Sequence, residues 1–570
     1  MNGELVPRSQ QLLAANVSSS ANKISSARLV YLDGAAAVGA FPLSDADMFV
    51  PGSEIEILGG SADESETLFK GIVVKHSLKM REHTAPQLIL ECKHAATTLS
   101  VGRKNAYFFD QTDSDVIAQK FEDAGISVDV EAGSVTHKQQ IQYDATDWDY
   151  CLLRAEANGM VIVTYSNQVK VFTPSLSANP VCTLQFGSTI LEGDLEMDGR
   201  NQFSAVKAYT WDAANQDRVE SDAVDSGINQ PGNINSESLA STHGQESFDY
   251  FHPAITGDEA QKWADARRLY SQINRISGSV KTEGMTAVQV GDVVALDGMG
   301  ARFNGNAIVT GVRHDFDLVK GWKTQLQFGG VGMLNDTLQS NGANNVANNV
   351  NVTPAAGLLP AVAGLQVGVV VSNEDPDGEF RVRVKMPMVN PADEGAWARM
   401  ACMDAGEDRG FIFRPEVGDE VVVGFFADDP RAAVVLGMLH SSAKPTPEEP
   451  SDDNHIKLFK SRSGMKVSFD DDAVSMTLET PEGNALILSD EDGGVTIKDQ
   501  NGNQIVMSSD GIAVESAGEV TINASSDVNC EAGGALQIKA ASEVKVEGSA
   551  GVEVSSSAVT KVKGSVLQLN

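Results

Sequence analysis

Residues 511–558 repeat a short apolar pattern. The stretch can be written in six consecutive eights, and the second and fourth residue of each eight are apolar. These pairs are Ile512 and Val514, Val520 and Ile522, Val528 and Cys530, Leu536 and Ile538, Val544 and Val546, and Val552 and Val554. A spacing of two places both side chains on one face of a short strand, and the Gly, Ala and Ser residues between pairs suit narrow corners. The pattern predicts a stack of short strands with one apolar stripe.

The apolar stripe is too narrow to form the core of a single chain. Two apolar residues in eight enclose little core, whereas three chains wound together pool their stripes around a threefold axis. The repeat therefore predicts a homotrimer, a triple-stranded intertwined β-helix, with the twelve residues named above in its core. Looser matches at Val467 and Phe469, Met476 and Leu478, Val495 and Ile497, and Ile505 and Met507 predict that the stack begins near residue 459. A β-solenoid of another kind and a disordered Ala- and Ser-rich tail are the alternatives.

The first part of the chain alternates strand-like and helical patterns. Runs rich in β-branched residues predict one barrel between residues 25 and 100 and a second between 288 and 330. Side-chain capping patterns predict three helices, and their paired residues are Thr112 with Asp115, Thr146 with Asp149, and Thr256 with Glu259. The polar stretch 215–247 is expected to be an extended loop. Residues 1–335 are thus predicted to form one domain of two β-barrels plus helices.

Polar stretches divide the rest of the chain. Residues 336–360 are Asn-rich and lack a hydrophobic period, so they predict a linker. Residues 361–442 contain about five β-like runs, the size of an oligonucleotide/oligosaccharide-binding (OB) barrel. Residues 443–458 predict a second linker, and residues 459–570 hold the repeat. The predicted fold class is mainly β.

Composition excludes several classes of protein. The 570 residues carry a formal charge of −35, which repels a phosphate backbone, so no nucleic-acid partner is expected. The five cysteines are far apart and odd in number, so they predict neither a disulfide framework nor a metal site. No basic start precedes an apolar run, and no run reaches the roughly 18 residues needed to cross a bilayer. We expect a soluble chain made in the cytoplasm, which a machine must carry if it works elsewhere.

Motifs for catalysis are missing from the sequence. The nine histidines do not follow the HExxH spacing, and neither a GxSxG elbow nor a phosphate loop is present. His76, His94 and His314 are interpreted as ordinary barrel residues. The acidic residues at 470–472, and at 490 and 492, depart from the calcium-loop spacing and are interpreted as solvated corners. We expect no catalytic residue, no cofactor and no bound metal.

Residues 365–440 resemble the OB barrel of valine-glycine repeat G (VgrG) spike proteins and phage baseplate spikes. The resemblance lies in LQVGVVVSNEDPDGEFRVRVKMP and, most specifically, in PEVGDEVVVGFF followed by DPR and VVLG. The motif residues are Pro415, Gly418, Asp419, Gly424, Pro430 and Gly437. Earlier, LFKGIVV, QYDATDWDYCLLRAEANGM and the pair VGDVV and AIVTGVRHDFD are similar to the hub domain of that family. With the repeat, the resemblance covers almost the whole chain.

The resemblance implies a structural protein of a contractile injection system. Its hub, a pseudo-sixfold ring from three chains, would meet the inner tube and the baseplate wedge proteins. Its OB barrel would couple the hub to a needle, here residues 459–570, that punctures a target membrane. The end of the needle would accept a tip protein of the PAAR type on a platform formed by Val562, Val566, Leu567, Leu569 and Asn570. Only about 15 residues, 441–455, separate barrel and needle, so no lysozyme domain fits there, and any effector is expected to be a separate protein.

Two other functions and three settings stay open at this point. A trimeric tail-spike enzyme that acts on surface polysaccharide would need a pair of carboxylates in a groove, and the repeat offers no convincing pair. A cell-surface adhesin is disfavoured by the lack of a signal peptide. The sequence leaves open whether the machine is a type VI secretion system, a released phage-tail-like particle or a prophage, and it identifies neither the effector nor the target cell.

Overall fold

The computed structural model describes residues 1–332 and 362–569, apart from Arg8, Ala36, Val38, 61–64, Asn167, 245–246, Pro253, Ala363, Pro391 and Asp393. The predicted linker 336–360 and Asn570 therefore lie outside the described residues. The chain divides into two compact units, Met1–His440 and Ser441–Asn570. The domain boundaries within these units remain predictions.

The first unit begins with a large, mainly antiparallel sheet of 14 strands. Its central path runs in the order β12-β16-β19-β18-β1-β2-β5-β4-β3. Strand β1 pairs with both β2 and β18. The first strand of the chain therefore lies beside a strand that is nearly 300 residues later in sequence. The strands up to residue 328 are β1 (Leu12–Ser20), β2 (Lys23–Leu32), β3 (Glu54–Gly60), β4 (Ser65–Arg81), β5 (Thr84–Lys93), β6 (Lys104–Thr112), β7 (Val128–Val130), β8 (Thr136–Ala145), β9 (Val161–Thr164), β10 (Val169–Phe172), β11 (Thr183–Gln185), β12 (Glu192–Met197), β13 (Ala205–Asp212), β14 (Asp217–Asp222), β15 (Ser247–Phe251), β16 (Ile276–Glu283), β17 (Val293–Asp297), β18 (Gly305–Asp317) and β19 (Gly321–Phe328).

The helices of this unit begin at the predicted caps. They are α1 (Asp113–Asp123), α2 (Asp147–Ala157), α3 (Ser236–His243) and α4 (Gly257–Ile273). The Thr112 hydroxyl accepts from the Asp115 backbone N–H while the Asp115 carboxylate accepts from Thr112, which is a complete capping box. The Thr146 and Thr256 hydroxyls cap α2 and α4 by accepting from the backbone N–H groups of Asp149 and Glu259. The three helices predicted from capping patterns are confirmed.

The prediction of an extended loop at 215–247 was wrong. This stretch contains β14, α3 and the first residue of β15. Strand β13 joins β14 and β15 in a three-stranded sheet that packs on α4. The α4 side chains that the sequence placed on one apolar stripe are buried, and they are Ala260, Trp263, Ala264 and Tyr270. The polar composition of the stretch hid β14 because most of its residues are polar and exposed.

The remainder of the first unit is a small closed barrel. Its strands pair in the order β20-β21-β22-β26-β25, and the short β23 and β24 form a separate hairpin. The bounds are β20 (Gln366–Ser372), β21 (Val382–Lys385), β22 (Ala396–Met400), β23 (Ala405–Gly406), β24 (Arg409–Gly410), β25 (Glu420–Phe425) and β26 (Ala433–Met438). Alternate residues such as Val421, Val423 and Val435 point inward and are fully buried. The five-stranded barrel expected from the sequence is confirmed.

The second unit begins with seven antiparallel strands in sequence order. These are β27 (Ile456–Lys460), β28 (Lys466–Asp470), β29 (Ser475–Glu479), β30 (Ala485–Ser489), β31 (Gly494–Lys498), β32 (Gln504–Ser508) and β33 (Gly511–Glu515). Residues 516–569, all of them described, contain no strand within the single chain. The repeat thus continues for more than 50 residues with no strand pairing to the described part of its own chain.

Candidate assembly surface and buried junction

The seven-stranded sheet carries two continuous apolar rows on one face. Residues directly opposite one another in the register share a face, as do residues two apart on one strand. The first row is Phe459, Val467, Leu478, Leu486, Ile497, Ile505 and Val514. The second row is Phe469, Met476, Leu488, Val495, Met507 and Ile512. We call these two rows the apolar face.

The apolar face is uncovered in the single chain. Ile505 is 36% exposed and Ile512 is 71% exposed, and no second layer from the described residues of this unit packs on them. A contiguous apolar surface of this kind marks an interface with another molecule. The looser sequence matches upstream of residue 511 all fall in the two rows, and the register adds Leu486 and Leu488, which the sequence pattern had not identified.

The predicted core residues of the repeat lie in two settings. Ile512 and Val514 belong to β33 and end the two rows. The other ten, from Val520 to Val554, lie beyond the last strand and are exposed; Val544 is 54% and Val554 77% exposed. The Cys530 thiol is exposed as well. Their role as the core of a trimer stays a prediction.

The predicted platform for a tip protein is also exposed in the single chain. Val562, Val566, Leu567 and Leu569 are all more than 60% exposed. Asn570 lies outside the described residues. The platform therefore presents apolar side chains, but its assignment to a tip protein stays a prediction.

A buried ionic junction joins the barrel to the rest of the first unit. The Arg154 guanidinium of α2 donates to Asp113 at 2.6 Å and to Glu259 of α4 at 3.2 Å. On the barrel side, Arg431 donates to the same Glu259 at 2.9 Å and to Asp429 at 2.9 Å. Arg154 is 1% exposed and Asp429 2% exposed. We call this cluster the ionic junction.

Two histidines complete the ionic junction. The Nε2 atom of His137, on β8, lies 3.2 Å from Asp113. The Nε2 atom of His252 lies 3.2 Å from Asp429, and its Nδ1 atom accepts from the Ala254 backbone N–H. The cluster therefore contains three carboxylates, two guanidinium groups and two imidazoles, so each charge has an opposite charge in contact.

Contacts rather than burial decide the charge states in the ionic junction. Burial by itself favours the neutral carboxylic acid, but the guanidinium of Arg154 outweighs it and lowers the pKa of Asp113. Arg431 acts against burial in the same way and lowers the pKa of both Glu259 and Asp429. The carboxylates in turn raise the pKa of Arg154 and Arg431 against the effect of burial. All five groups are charged at neutral pH, and removing one leaves a buried charge without its partner.

The two-stranded ribbon of β6 and β8 also fastens the barrel. Tyr107 and Ile141 of the ribbon pack into the same apolar cluster as the barrel interior. The Gln139 Oε1 atom accepts from the Trp397 backbone N–H at 2.9 Å, and its Nε2 atom donates to the Arg431 carbonyl at 2.7 Å. Arg383 on β21 lies over the ring of Phe109 at 5.5 Å. In OB barrels that bind oligonucleotides the second and third strands form the ligand face, and here the chain's own ribbon contacts that face.

The residues of the predicted OB motif lie at turns and on two barrel strands. Pro415 is buried and its carbonyl accepts from the Asn373 side chain at 2.7 Å, while Gly418 has a φ of 91° at the turn into β25. Asp419 closes this turn because its carboxylate accepts from the Glu416 backbone N–H. Gly424 lies in β25 and Gly437 in β26, and Pro430 is buried between the two strands. Their arrangement positions the hairpin that presents Asp429 and Arg431.

Sequence reasoning missed the ionic junction. Pro430 was identified only as a residue of the OB motif, and Arg431 was given no role. The available signal was the pair of opposite charges, Asp429 and Arg431, on either side of a proline. Their partners Asp113, Arg154 and Glu259 are 172 residues or more away in sequence from Arg431, so no local pattern connects them.

The three histidines interpreted as barrel residues each make hydrogen bonds within the first unit. His94 is buried, which lowers its pKa, and its Nδ1 accepts from the Ala96 backbone N–H. Burial lowers the pKa of His314 to about 4, and its Nδ1 lies 3.0 Å from the Thr324 hydroxyl. His76 lies between the Ser44 hydroxyl and the Phe49 carbonyl. Across the described residues, no group of three or more His, Cys, Asp and Glu side chains is arranged to hold a metal ion.

No helix among the described residues is long and apolar enough to span a membrane.

The fold and these surfaces define a spike-like structural protein of the type VI secretion and phage-baseplate class. Residues 366–440 match the family described as the type VI secretion system/phage-baseplate injector OB domain. Residues 475–566, which include most of the apolar face, match the phage baseplate V C-terminal trimerisation domain. The resemblance to VgrG spike proteins is thereby confirmed.

Residues 1–317 match the family described as the Alg8 N-terminal domain. This match covers more than half of the chain, so the chain belongs to that family. The description names a domain and no activity. No curated protein sequence matches the chain.

Solved structures share the fold. A half-lidded Francisella PdpA-VgrG complex has a TM-score of 0.51 at 10% identity, covering 89% of this chain and 84% of that one. A lidless PdpA-VgrG complex has a TM-score of 0.50 at 10% identity, covering 89% and 94%. An E. coli component of the type VI secretion system has a TM-score of 0.48 at 11% identity, covering 77% and 98%. At these identities the likeness concerns the fold alone.

Proposed function

We propose that this chain is the trimeric hub and spike of a contractile injection system. In this proposal residues 1–335 form the hub, residues 361–442 the OB collar and residues 459–570 the needle. The needle punctures a target envelope mechanically when the inner tube advances, and effectors are delivered with it. The predicted core residues, Ile512 to Val554, line the threefold axis of the needle.

The apolar face is the observation that carries this proposal. It presents thirteen apolar side chains in two rows, and ten of them lie within the residues that match a trimerisation domain. Burying apolar surface yields roughly 25 cal/mol for each Å², so three such faces brought together give a large stabilisation. A closed trimer also leaves few free strand edges, which suits a body that must stay folded under load.

The ionic junction supports the transmission of force from hub to needle. A barrel on a flexible tether would absorb an axial push by turning, whereas the junction and the β6–β8 ribbon hold it at several points. The charges of Arg154, Glu259 and Arg431 are paired within the protein interior. Breaking such a pair is costly, so the barrel resists displacement from the hub.

The partners of this spike are proposed from the family. The hub meets the inner-tube protein and the baseplate wedge proteins, and the exposed platform from Val562 to Asn570 accepts a PAAR-type tip protein. An effector is carried as a separate protein; the solved VgrG complexes that share the fold contain PdpA as a partner. The chain is made and assembled in the cytoplasm and ejected with the apparatus. It acts without catalysis, and the matched injector and trimerisation domains support this structural role.

The first experiment measures the solution mass of the full chain by light scattering, beside a version cut after residue 458. We expect three copies of the 60.4 kDa chain for the full protein and loss of the trimer's detergent resistance without the needle. A monomeric full-length protein would contradict the proposal.

The second experiment tests the platform. A recombinant PAAR-type tip protein is expected to bind the trimer, and the substitutions Leu567→Asp and Leu569→Asp are expected to abolish that binding while the mass of the trimer stays the same. Charged substitution of Ser565 in the same segment is the matched control. Binding that survives the double substitution would place the tip elsewhere.

A further inference from the structure

The repeat after residue 511 does not define its own register. Each eight has the same apolar pair at its second and fourth positions. If one chain of a trimer slipped by eight residues, five of its six pairs would still face apolar pairs of the other chains. Gly-rich strands with a short uniform pattern are prone to such slippage. Something else must therefore align the three chains.

The seven-stranded sheet lacks this ambiguity. Its strands begin at residues 456, 466, 475, 485, 494, 504 and 511, so the spacing alternates between ten and nine and then falls to seven. The side chains of the rows also differ in size, from Phe469 to Val495 to Met507. Each strand is hydrogen-bonded to its neighbours within the chain, so the face is present in the single chain. Three copies of this face pack fully in one alignment only.

Side-chain hydrogen bonds fix the repeat to the sheet. The Asn503 side chain, in the turn before β32, accepts from the Ser516 hydroxyl at 2.9 Å and from the Ala517 backbone N–H at 2.9 Å. Residues 516–518 are the first corner of the repeat. Asn484 makes the equivalent link one turn earlier, to the Gln500 backbone N–H and side chain. The position of the first eight is thus set by the sheet.

We propose that the apolar face of β27–β33 is a register-setting interface between three copies of this chain. It aligns the chains, and the repeat then closes from residue 516 toward the C-terminal end. This inference rests on the proposed trimeric spike and adds that the two parts of the needle have separate roles. The sheet selects the register and the repeat supplies length.

The test weakens the interface and then determines the register. Leu486→Ser and Ile497→Ser remove two side chains that face each other in the first row. The matched control is Thr477→Ser with Thr496→Ser, which lie on the opposite face of the same sheet. Each full-length trimer is isolated by mass, treated with proteinase K, and its resistant core is measured by intact mass spectrometry. A slipped chain exposes one or more eights at an end, which the protease removes.

The wild type and the Thr control are expected to give one resistant product. The row variant is expected to give additional products that are shorter by multiples of eight residues. A row variant whose trimers give the same single product as the wild type would overturn the proposal. A wild-type protein that is monomeric would instead overturn the trimeric spike itself, so the two failures are distinguishable.

If the row variant does not assemble, mixed trimers test whether the sheet sets the register. The wild-type chain is co-expressed with a chain that lacks residues 535–542, one complete eight. If the sheet sets the register, the wild-type chains extend eight residues past the shortened one, and the protease trims them by that length only in mixed trimers. If the irregular segment from Val562 to Leu569 sets the register, the C-terminal ends stay aligned and resistant, and the proposal is overturned.

Discussion

The small barrel and the needle carry the same alternating pattern but bury it in opposite ways. In the barrel strand β25, Val421 and Val423 are fully buried. In the needle, Val544 and Val546 have the same spacing and are 54% and 69% exposed. Both segments place these apolar residues two apart, and the residue between them is Val422 in the barrel and Lys545 in the needle. The pattern therefore indicates a strand with one apolar face and leaves open what covers that face.

Closure explains the difference. Strands β20 and β25 pair with each other, so the barrel has no free edge and its inward faces cover one another within one chain. The sheet of the second unit pairs only consecutive strands and stays open, and the repeat beyond it has no strand partner in the described part of its own chain. We therefore expect the needle to obtain its core from other copies of the chain. Four predictions test this contrast, and the five tryptophans, all at or before Trp397, allow the first unit to be followed separately.

The largest effect is expected from charges in the needle. Val544→Asp with Val546→Asp places six carboxylates in the core of a trimer, and each buried unpaired charge costs several kcal/mol. We expect light scattering to show only monomers, while tryptophan fluorescence in urea gives an unchanged transition for the first unit. Ser542→Asp with Ser549→Asp, at corner positions, is the control. A trimer that persists with the Val substitutions would place these residues outside the core.

A smaller but still large effect is expected at the ionic junction. Arg431→Ala leaves Glu259 and Asp429 buried without their common partner, which should destabilise the first unit by about 3–5 kcal/mol. Urea unfolding followed by tryptophan fluorescence measures the change. Arg409→Ala breaks an exposed pair with Asp404 at the separate β23–β24 hairpin and should cost less than about 1 kcal/mol. Equal costs for the two variants would contradict the rigid junction.

The stability of the first unit is expected to fall as the pH drops from 6.5 to 4. Burial lowers the pKa of His314 from its ordinary 6.5 to about 4. The folded state therefore binds this proton less tightly than the unfolded state, so the contribution is complete above pH 6.5 and is lost on acidification through this window. The loss from this one residue is at most roughly 3 kcal/mol. His314→Gln should flatten the urea-derived profile between these pH values, and the exposed His83→Gln should leave it unchanged.

The smallest effect is expected from one matched substitution in the barrel core and in the needle core, which compares the two cores directly. Val423→Ala removes methyl groups from the closed barrel and should destabilise the first unit by about 2 kcal/mol. Val520→Ala makes the same chemical change in the needle and should leave the tryptophan transition unmoved while it lowers the temperature at which the trimer dissociates. A shift of the tryptophan transition by Val520→Ala would mean that the two units do not fold independently.

Much of the fold was predictable because its signals are local. Side-chain caps at Thr112, Thr146 and Thr256 mark the starts of three helices, since the first turn of a helix needs acceptors for its free N–H groups. Alternation and turn residues predicted the five-stranded barrel. The stretch 215–247 was misjudged because the short helix α3 and the polar strand β14 resemble a loop in composition.

The sequence predicted part of the apolar face but not the ionic junction. Matches such as Val467 with Phe469 were visible as pairs, but only the strand register aligned them into rows with Leu486 and Leu488. No local sequence pattern predicts the ionic junction. Its members come from α1, β8, α2, the residue after β15, α4 and the barrel hairpin, and only the folded chain brings each of them within 3.2 Å of a partner.

The sequence by itself determined the periodicities: which residues alternate, where helices begin, and where a repeat of eight replaces a longer one. These properties depend on neighbours along the chain and on the fixed geometry of strands and helices. Only the tertiary structure decided that the barrel closes on itself, that the needle sheet stays open with two apolar rows, and that Arg431 pairs with Glu259. Those outcomes depend on contacts between distant residues, because burial and charge pairing act through space rather than along the chain.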